Sequence, residues 1–143
     1  MTSVPKLNLL LVEDDDVAAE AVIRGLQKHA MHCPVIPAED GAVALHILRG
    51  KDSARQIAKP FLVLLDLNMP RMNGFEFLRE LRADNDLRGT VVFVLTTPGA
   101  ETDRARAYNE SIAGYMVKSA IGPQFSGLAR FLTEYRWAIQ LPP

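Results

Sequence analysis

The chain has 143 residues, 48% of them hydrophobic and 23% charged, which is enough apolar surface for one full core and too little length for a second domain of ordinary size. Its formal net charge of -1 gives no overall attraction for nucleic acid or for an anionic membrane. The lone cysteine, Cys33, excludes an intrachain disulfide and a cysteine-based metal cluster and is expected to be a buried structural thiol; with no run long enough for a signal or membrane segment, the expected setting is the cytoplasm.

Residues 7–12 predict the first strand, and Glu13, Asp14, Asp15 and Asp16 follow it without a break. Ala18, Ala21, Val22, Gly25 and Leu26 then recur at helical spacing over residues 17–29, so one of the four acids is expected to cap that helix and the rest remain at the strand end. Residues 33–38, broken by Pro34 and Pro37, suit an edge strand. Residues 41–49 predict a short helix with Val43, Ala44, Ile47 and Leu48 inward, and the polar stretch 50–59 a surface loop. Phe61, Leu62, Val63, Leu64 and Leu65 are apolar on both faces, as a central parallel strand must be. Asp66 ends that strand at the edge where open α/β sheets bind ligands, although taken alone it serves equally well as a cap for the next turn.

A turn composition after Pro70 leads into a helix predicted over residues 75–83, with Phe75, Leu78 and Leu81 inward. Residues 91–95 predict a strand ending at Thr96, residues 101–108 a helix, and residues 114–117 a strand ending at Lys118. The last helix is predicted over residues 123–140, with Pro123 in its first turn, a stripe of Phe125, Leu128, Leu132, Tyr135 and Ile139, and Phe131 and Trp137 beside it. This alternation predicts an α/β domain: a doubly wound five-stranded parallel sheet with helices on both faces.

In that fold Glu13, Asp14, Asp66, Thr96 and Lys118 all end strands and face one crevice. Carboxylates crowded together repel one another unless a cation joins them, and an all-oxygen ligand set suits Mg²⁺ or Mn²⁺. Mg²⁺ takes one or two carboxylates and otherwise prefers water and phosphate oxygens, so phosphoryl chemistry is expected, with Lys118 and the Thr96 hydroxyl available to the phosphoryl oxygens.

The motifs Val-Glu-Asp-Asp, Leu-Asp-Leu-Asn-Met-Pro, Leu-Thr-Thr and Tyr-Met-Val-Lys occur in this order, with Thr96 30 residues and Lys118 52 residues after Asp66 (96−66 and 118−66). Together they resemble the receiver domain of bacterial two-component response regulators, from Leu7 to about Ile139. The resemblance implies a flavodoxin-like fold, one receiver domain over residues 1–143 with no output domain, and a phosphoacceptor switch rather than a turnover enzyme. It makes Asp66 the residue that accepts a phosphoryl group from a histidine kinase or a small donor such as acetyl phosphate. Asp14 and Asp66 would bind the metal directly, Asn68 through its backbone carbonyl and Glu13 through water, while Lys118 pairs with the phosphoryl oxygens. Thr96 and Tyr115 would switch a face built from residues 102–137.

Two positions depart from the family pattern. Ser119 stands where the family usually has a cis proline after its lysine; a cis bond before a non-proline residue costs about 3 kcal/mol, so a trans bond is expected. Pro98 lacks the acid or amide that holds a hydrolytic water in some members, which implies slow autodephosphorylation. Within the family the chain is similar to the single-domain regulators paired with bacterial phytochromes. That implies a bacteriophytochrome kinase, a downstream phosphotransfer protein, and a homodimer through the fourth and fifth helices with Phe131, Tyr135 and Trp137 as interface candidates. The alternatives are a chemotaxis-like regulator that binds a motor or an enzyme, and a haloacid-dehalogenase-type phosphatase, against which Asn68 argues by standing where that class has a second Asp.

Overall fold

The computed structural model describes residues 4–67, 69, 73–97 and 101–143. Five strands, β1 (Asn8–Val12), β2 (Val35–Ala38), β3 (Phe61–Leu65), β4 (Val92–Thr96) and β5 (Gly114–Val117), alternate with helices α1 (Asp16–Lys28), α2 (Gly41–Leu48), α3 (Gly74–Ala83), α4 (Glu101–Asn109) and α5 (Ser126–Ala138). The strands pair in parallel in the order β2-β1-β3-β4-β5, the doubly wound arrangement expected, with the chain reversing direction across the sheet between β1 and β3.

The period-2 alternation of strand side chains divides the core in two. Leu10, Val12, Val63, Leu65, Val92 and Val94 point to one face, where α2 and α3 bury Ala44, Leu45, Ile47, Phe77, Leu78 and Leu81. Leu9, Leu11, Leu62, Leu64, Phe93 and Leu95 point to the other, where α1 and α5 bury Val22, Leu26, Leu128, Ala129 and Leu132. Each fully buried Leu, Val or Phe contributes about 1.5–3 kcal/mol, so the sheet is held by the helices it separates.

Several helix faces differ from their expected phase. In α1 the inward residues are Ala19, Val22, Gly25 and Leu26, and Ala21 is exposed, because Asp15 caps the helix and fixes its start. In α2 Leu45 is buried while Val43 and Leu48 are half-buried, and in α3 Phe77 takes the core position while Phe75 stays half-buried under the Arg106 guanidinium at 3.8 Å. Short apolar helices offer more apolar residues than one face uses, and the neighbouring layer decides which turn inward. Cys33 is half-buried rather than enclosed.

The last helix is shorter than residues 123–140. Residues Pro123–Phe125 form a separate 3-10 turn in which Gln124 and Phe125 are left-handed (φ 52° and 61°), and α5 begins at Ser126. Pro123 does stand in the first position of that turn, and Phe125 packs against the α1–α5 core. Gly25 of α1 permits this, since a Cβ there would strike the backbone carbonyl of Gln124. Ile139 lies past the helix end and is 45% exposed, not on the buried stripe.

Arg82, at the end of α3, bonds four backbone carbonyls: Nε to Glu110 (2.7 Å), Nη1 to Arg88 (2.7 Å) and Thr90 (2.8 Å), and Nη2 to Ser111 (3.0 Å). One guanidinium thereby ties the α3–β4 connection to the turn after α4. Arg82→Ala is expected to lower the unfolding free energy by about 3 kcal/mol in urea titration, with Arg82→Lys recovering less than half, because an ammonium lacks the planar fork.

Candidate functional site

Strand register brings the site together. Val12 pairs with Leu65, so Glu13 and Asp66, the next residue in each strand, emerge side by side, and the Asp66 N–H donates to the Val12 carbonyl at 3.0 Å. Thr96 pairs with Val117 one strand further on, which places Lys118 at the same edge. The four acids after β1 divide their work. Asp15 accepts from the N–H groups of Val17 (2.9 Å) and Ala18 (3.3 Å) as the α1 cap, Asp16 opens the helix, and Glu13 and Asp14 face the crevice. Asp66 does not cap α3, because Asn73 does so by accepting from the Glu76 N–H at 3.0 Å.

Carboxylate oxygens of Glu13, Asp14 and Asp66 lie within 4.8 Å of one another. Asp14 is exposed, while Glu13 and Asp66 are 6% and 8% exposed. The Thr96 hydroxyl, 1% exposed, donates to Asp66 Oδ1 at 3.1 Å. Lys118 Nζ reaches Glu13 Oε2 at 3.2 Å, so the ammonium faces this buried acid rather than standing free for a phosphoryl group. The Asp15 N–H makes a long bond to Glu13 Oε1, 3.4 Å.

Burial, then the hydrogen bond to Asp66 and its charge, push the Glu13 carboxyl up to about 7; the Lys118 ammonium pulls it down without cancelling the rise. Three oxygen-only ligands at this spacing fit a hard divalent cation. Gly74, the first residue of α3, sits against Leu67, and a Cβ there would be 2.9 Å from the Asp66 carbonyl oxygen, so α3 packs directly on the loop that carries the aspartate.

Tyr115 is half-buried against the α2–α3 core, and burial and the charge of Asp103 raise its phenol. The Lys118–Ser119 bond is trans, as expected, and Lys118–Ala120 continue as a 3-10 turn. Asn68 and Pro98 lie outside the described residues. Phe131 and Tyr135 meet Phe93 of β4 edge-on, with centroids at 5.2 and 5.3 Å, while Phe131 and Trp137 remain 37% and 50% exposed. The Lys118–Glu13 pair and the Gly74 contact had no signal in the sequence, since both depend on register and helix approach.

Residues 9–125 match the family described as the response regulator receiver domain. Response regulator Rcp1 of Synechocystis is 34% identical over 115 residues, covering 80% of this chain and 78% of that protein. The probable methanogenesis regulatory protein FilR2 of Methanothrix harundinacea is 31% identical over 128 residues, covering 90% and 80%. The crystal structure of the phosphorylated cyanobacterial phytochrome response regulator RcpA superposes with a TM-score of 0.82 at 29% identity, covering 96% of this chain and 99% of that one, and the Mn²⁺-bound form of Rcp1 with 0.76 at 30%, covering 97% and 100%.

The Glu13 shift has a measurable sign. Its carboxyl holds a proton more tightly in the folded metal-free chain than in the unfolded one, so this contribution to stability is fully present below the ordinary carboxyl range and is lost as pH rises through about 7. Metal-free protein is expected to lose stability between about pH 4.5 and about pH 7, and Glu13→Gln, which stays neutral, to flatten that decline in denaturant titrations. An equal decline in both proteins would place the ionisation elsewhere.

Proposed function

The chain belongs to the response-regulator receiver family, and from that premise we propose that it is a phosphoacceptor switch in which Asp66 takes a phosphoryl group from the phosphohistidine of a histidine kinase. The observation that carries this reading is the convergence on the Asp66 carboxylate of two further acids and the Thr96 hydroxyl at the carboxyl ends of the strands. An Asp66 oxygen attacks phosphorus, the P–N bond to the kinase imidazole breaks with its electron pair leaving on nitrogen, and an acyl phosphate remains on Asp66. Asp14 and Asp66 are the direct metal ligands in this reading, with Glu13 behind them. Mg²⁺, when bound there, neutralises charge on the transferring group.

The chain's own residues do the rest. Lys118, which pairs with Glu13 at 3.2 Å, would turn to the phosphoryl oxygens, and Thr96, already turned toward Asp66, would hold the new phosphate. The shift of Lys118 and Thr96 is passed to β5 and α4, with Tyr115 following. Support for α4 as the moving part is its thin attachment: of its described side chains only Ala107 is fully buried, and Arg106 holds on through the face of Phe75. The reaction is stoichiometric and self-directed, which distinguishes a switch from a turnover enzyme.

The similarity to a cyanobacterial phytochrome response regulator favours a phytochrome-type kinase in the cytoplasm as donor and a phosphotransfer protein as the next acceptor. We read residues 1–143 as one receiver unit. Among the described residues no helix is long and apolar enough to cross a membrane.

Incubation with Mg²⁺ and acetyl phosphate is expected to add about 80 Da to the native protein and nothing to Asp66→Asn. An equal gain in both would move the acceptor off Asp66, and no gain from acetyl phosphate or from a phosphorylated kinase would sink the switch reading.

Trp137, half-exposed at the end of α5, is the aromatic left over once Phe131 and Tyr135 cover Phe93, and it supports a homodimer through the α4–α5 side. Trp137→Ala is expected to reduce the particle mass in light scattering from dimer toward monomer; an unchanged mass removes this contact.

A further inference from the structure

Opposite the carboxylate crevice, where the strands begin, lies a basic groove centred on Arg136 of α5. Its Nε is buried and has no hydrogen-bond partner among the described residues, and its Nη1 reaches only the His32 carbonyl at 3.4 Å, a long contact. Arg136 as a whole is half-buried, so its guanidinium is open to a group from outside the chain, and a buried N–H without a protein partner is costly unless water or a ligand meets it.

Two adjoining cavities meet at this guanidinium. One, of about 310 Å³, is bounded by Lys6, His32 and Cys33; the other, of about 460 Å³, by Pro60, Ile139 and Leu141. Lys6 borders both, and neither has an Asp or Glu in its lining, so the lining is positive on a chain whose net charge is -1. Guanidinium is planar and poorly hydrated, and its paired N–H groups match the two oxygens of a carboxylate or phosphate better than any neutral ligand.

We infer that this groove binds an oxyanion of the carboxylate or phosphate type, with Arg136 as the principal donor and Lys6 and His32 at the rim. The site is independent of Asp66 and stands or falls apart from the phosphoacceptor reading. Apolar Val4, Ile139 and Leu141 border the positive groups, a surround that adds contact for an acidic side chain flanked by apolar residues over what a free ion gains.

The test is a titration of metal-free native protein followed by NMR at the Arg136 Nε–H, with sodium phosphate in one arm, a blocked Leu-Asp-Leu tripeptide in a second, and sodium chloride at matched ionic strength as the reference. Phosphate or peptide is expected to give a saturable shift with a midpoint on the order of 1 mM, weakened several-fold in Lys6→Gln. In Arg136→Gln the backbone amide of Cys33, which shifts with the same midpoint in the native protein, is expected to lose saturation. Tighter binding of the peptide identifies a partner's acidic side chain as the source, and tighter binding of phosphate a free anion. A response linear in both arms and matched by chloride, or a midpoint unchanged in Arg136→Gln and Lys6→Gln, overturns the inference.

Discussion

The parallel register of β1 and β3 forces Glu13 and Asp66 out of the sheet side by side, against their mutual repulsion, and the rest of the crevice is arranged around that constraint. Backbone hydrogen bonding sets the spacing of the two residues through the pairing of Val12 with Leu65. The protein meets the cost locally. Glu13 is pushed toward neutrality, Lys118 contributes one compensating charge at 3.2 Å, and the Thr96 hydroxyl supplies a hydrogen bond to Asp66. A receiver needs a site that is incomplete until a cation and a phosphoryl group arrive, and three acids balanced by one ammonium are incomplete in the electrostatic sense.

Attachment of the surrounding elements is uneven, and the unevenness follows the same logic. α3 is pressed onto the aspartate loop at Gly74 and buries Phe77, Leu78 and Leu81, so Asp66 stands on a firmly packed base. Among its described side chains α4 fully buries only Ala107, but Arg82 fixes the turn beyond its C-terminal end through the carbonyls of Glu110 and Ser111. An element pinned at one end and lightly packed along its length can swing when the strand beside its other end changes. α5 sits on Phe93 through Phe131 and Tyr135, leaving Trp137 outward where a second molecule can reach it.

The sheet was legible from the sequence because its signals are strong and local. The doubly apolar run Phe61 to Leu65 can only be a covered central strand, and the prolines at 34 and 37 mark an edge. The converging site residues followed from topology, since all stand at strand ends. Helix phase was less legible: Phe75 and Phe77 are both apolar and two apart, and packing on β3 and β4, not periodicity, chooses Phe77. The break at Gln124 and Phe125 was hidden because neither residue type favours a left-handed backbone; it exists where α1 comes close at Gly25. Arg82 gave no signal in the sequence, since its four partners are carbonyls that carry no side-chain signature. The Lys118 contact with Glu13 was missed for a chemical reason: the lysine was assigned to a phosphoryl group, and before that group arrives it turns to the nearest buried acid.

The acids crowded at the ends of β1 and β3 form a divalent-cation site that includes Asp66, if the proposed switch is right. Crystals of the native protein soaked in Mn²⁺ and measured at the manganese absorption edge test it most directly. The account predicts a single anomalous peak in the crevice, within coordination distance of the Asp14 and Asp66 carboxylates, at about 2.0–2.3 Å. A crevice with no peak, or a Mn²⁺ held by other acids and out of reach of Asp66, would contradict it.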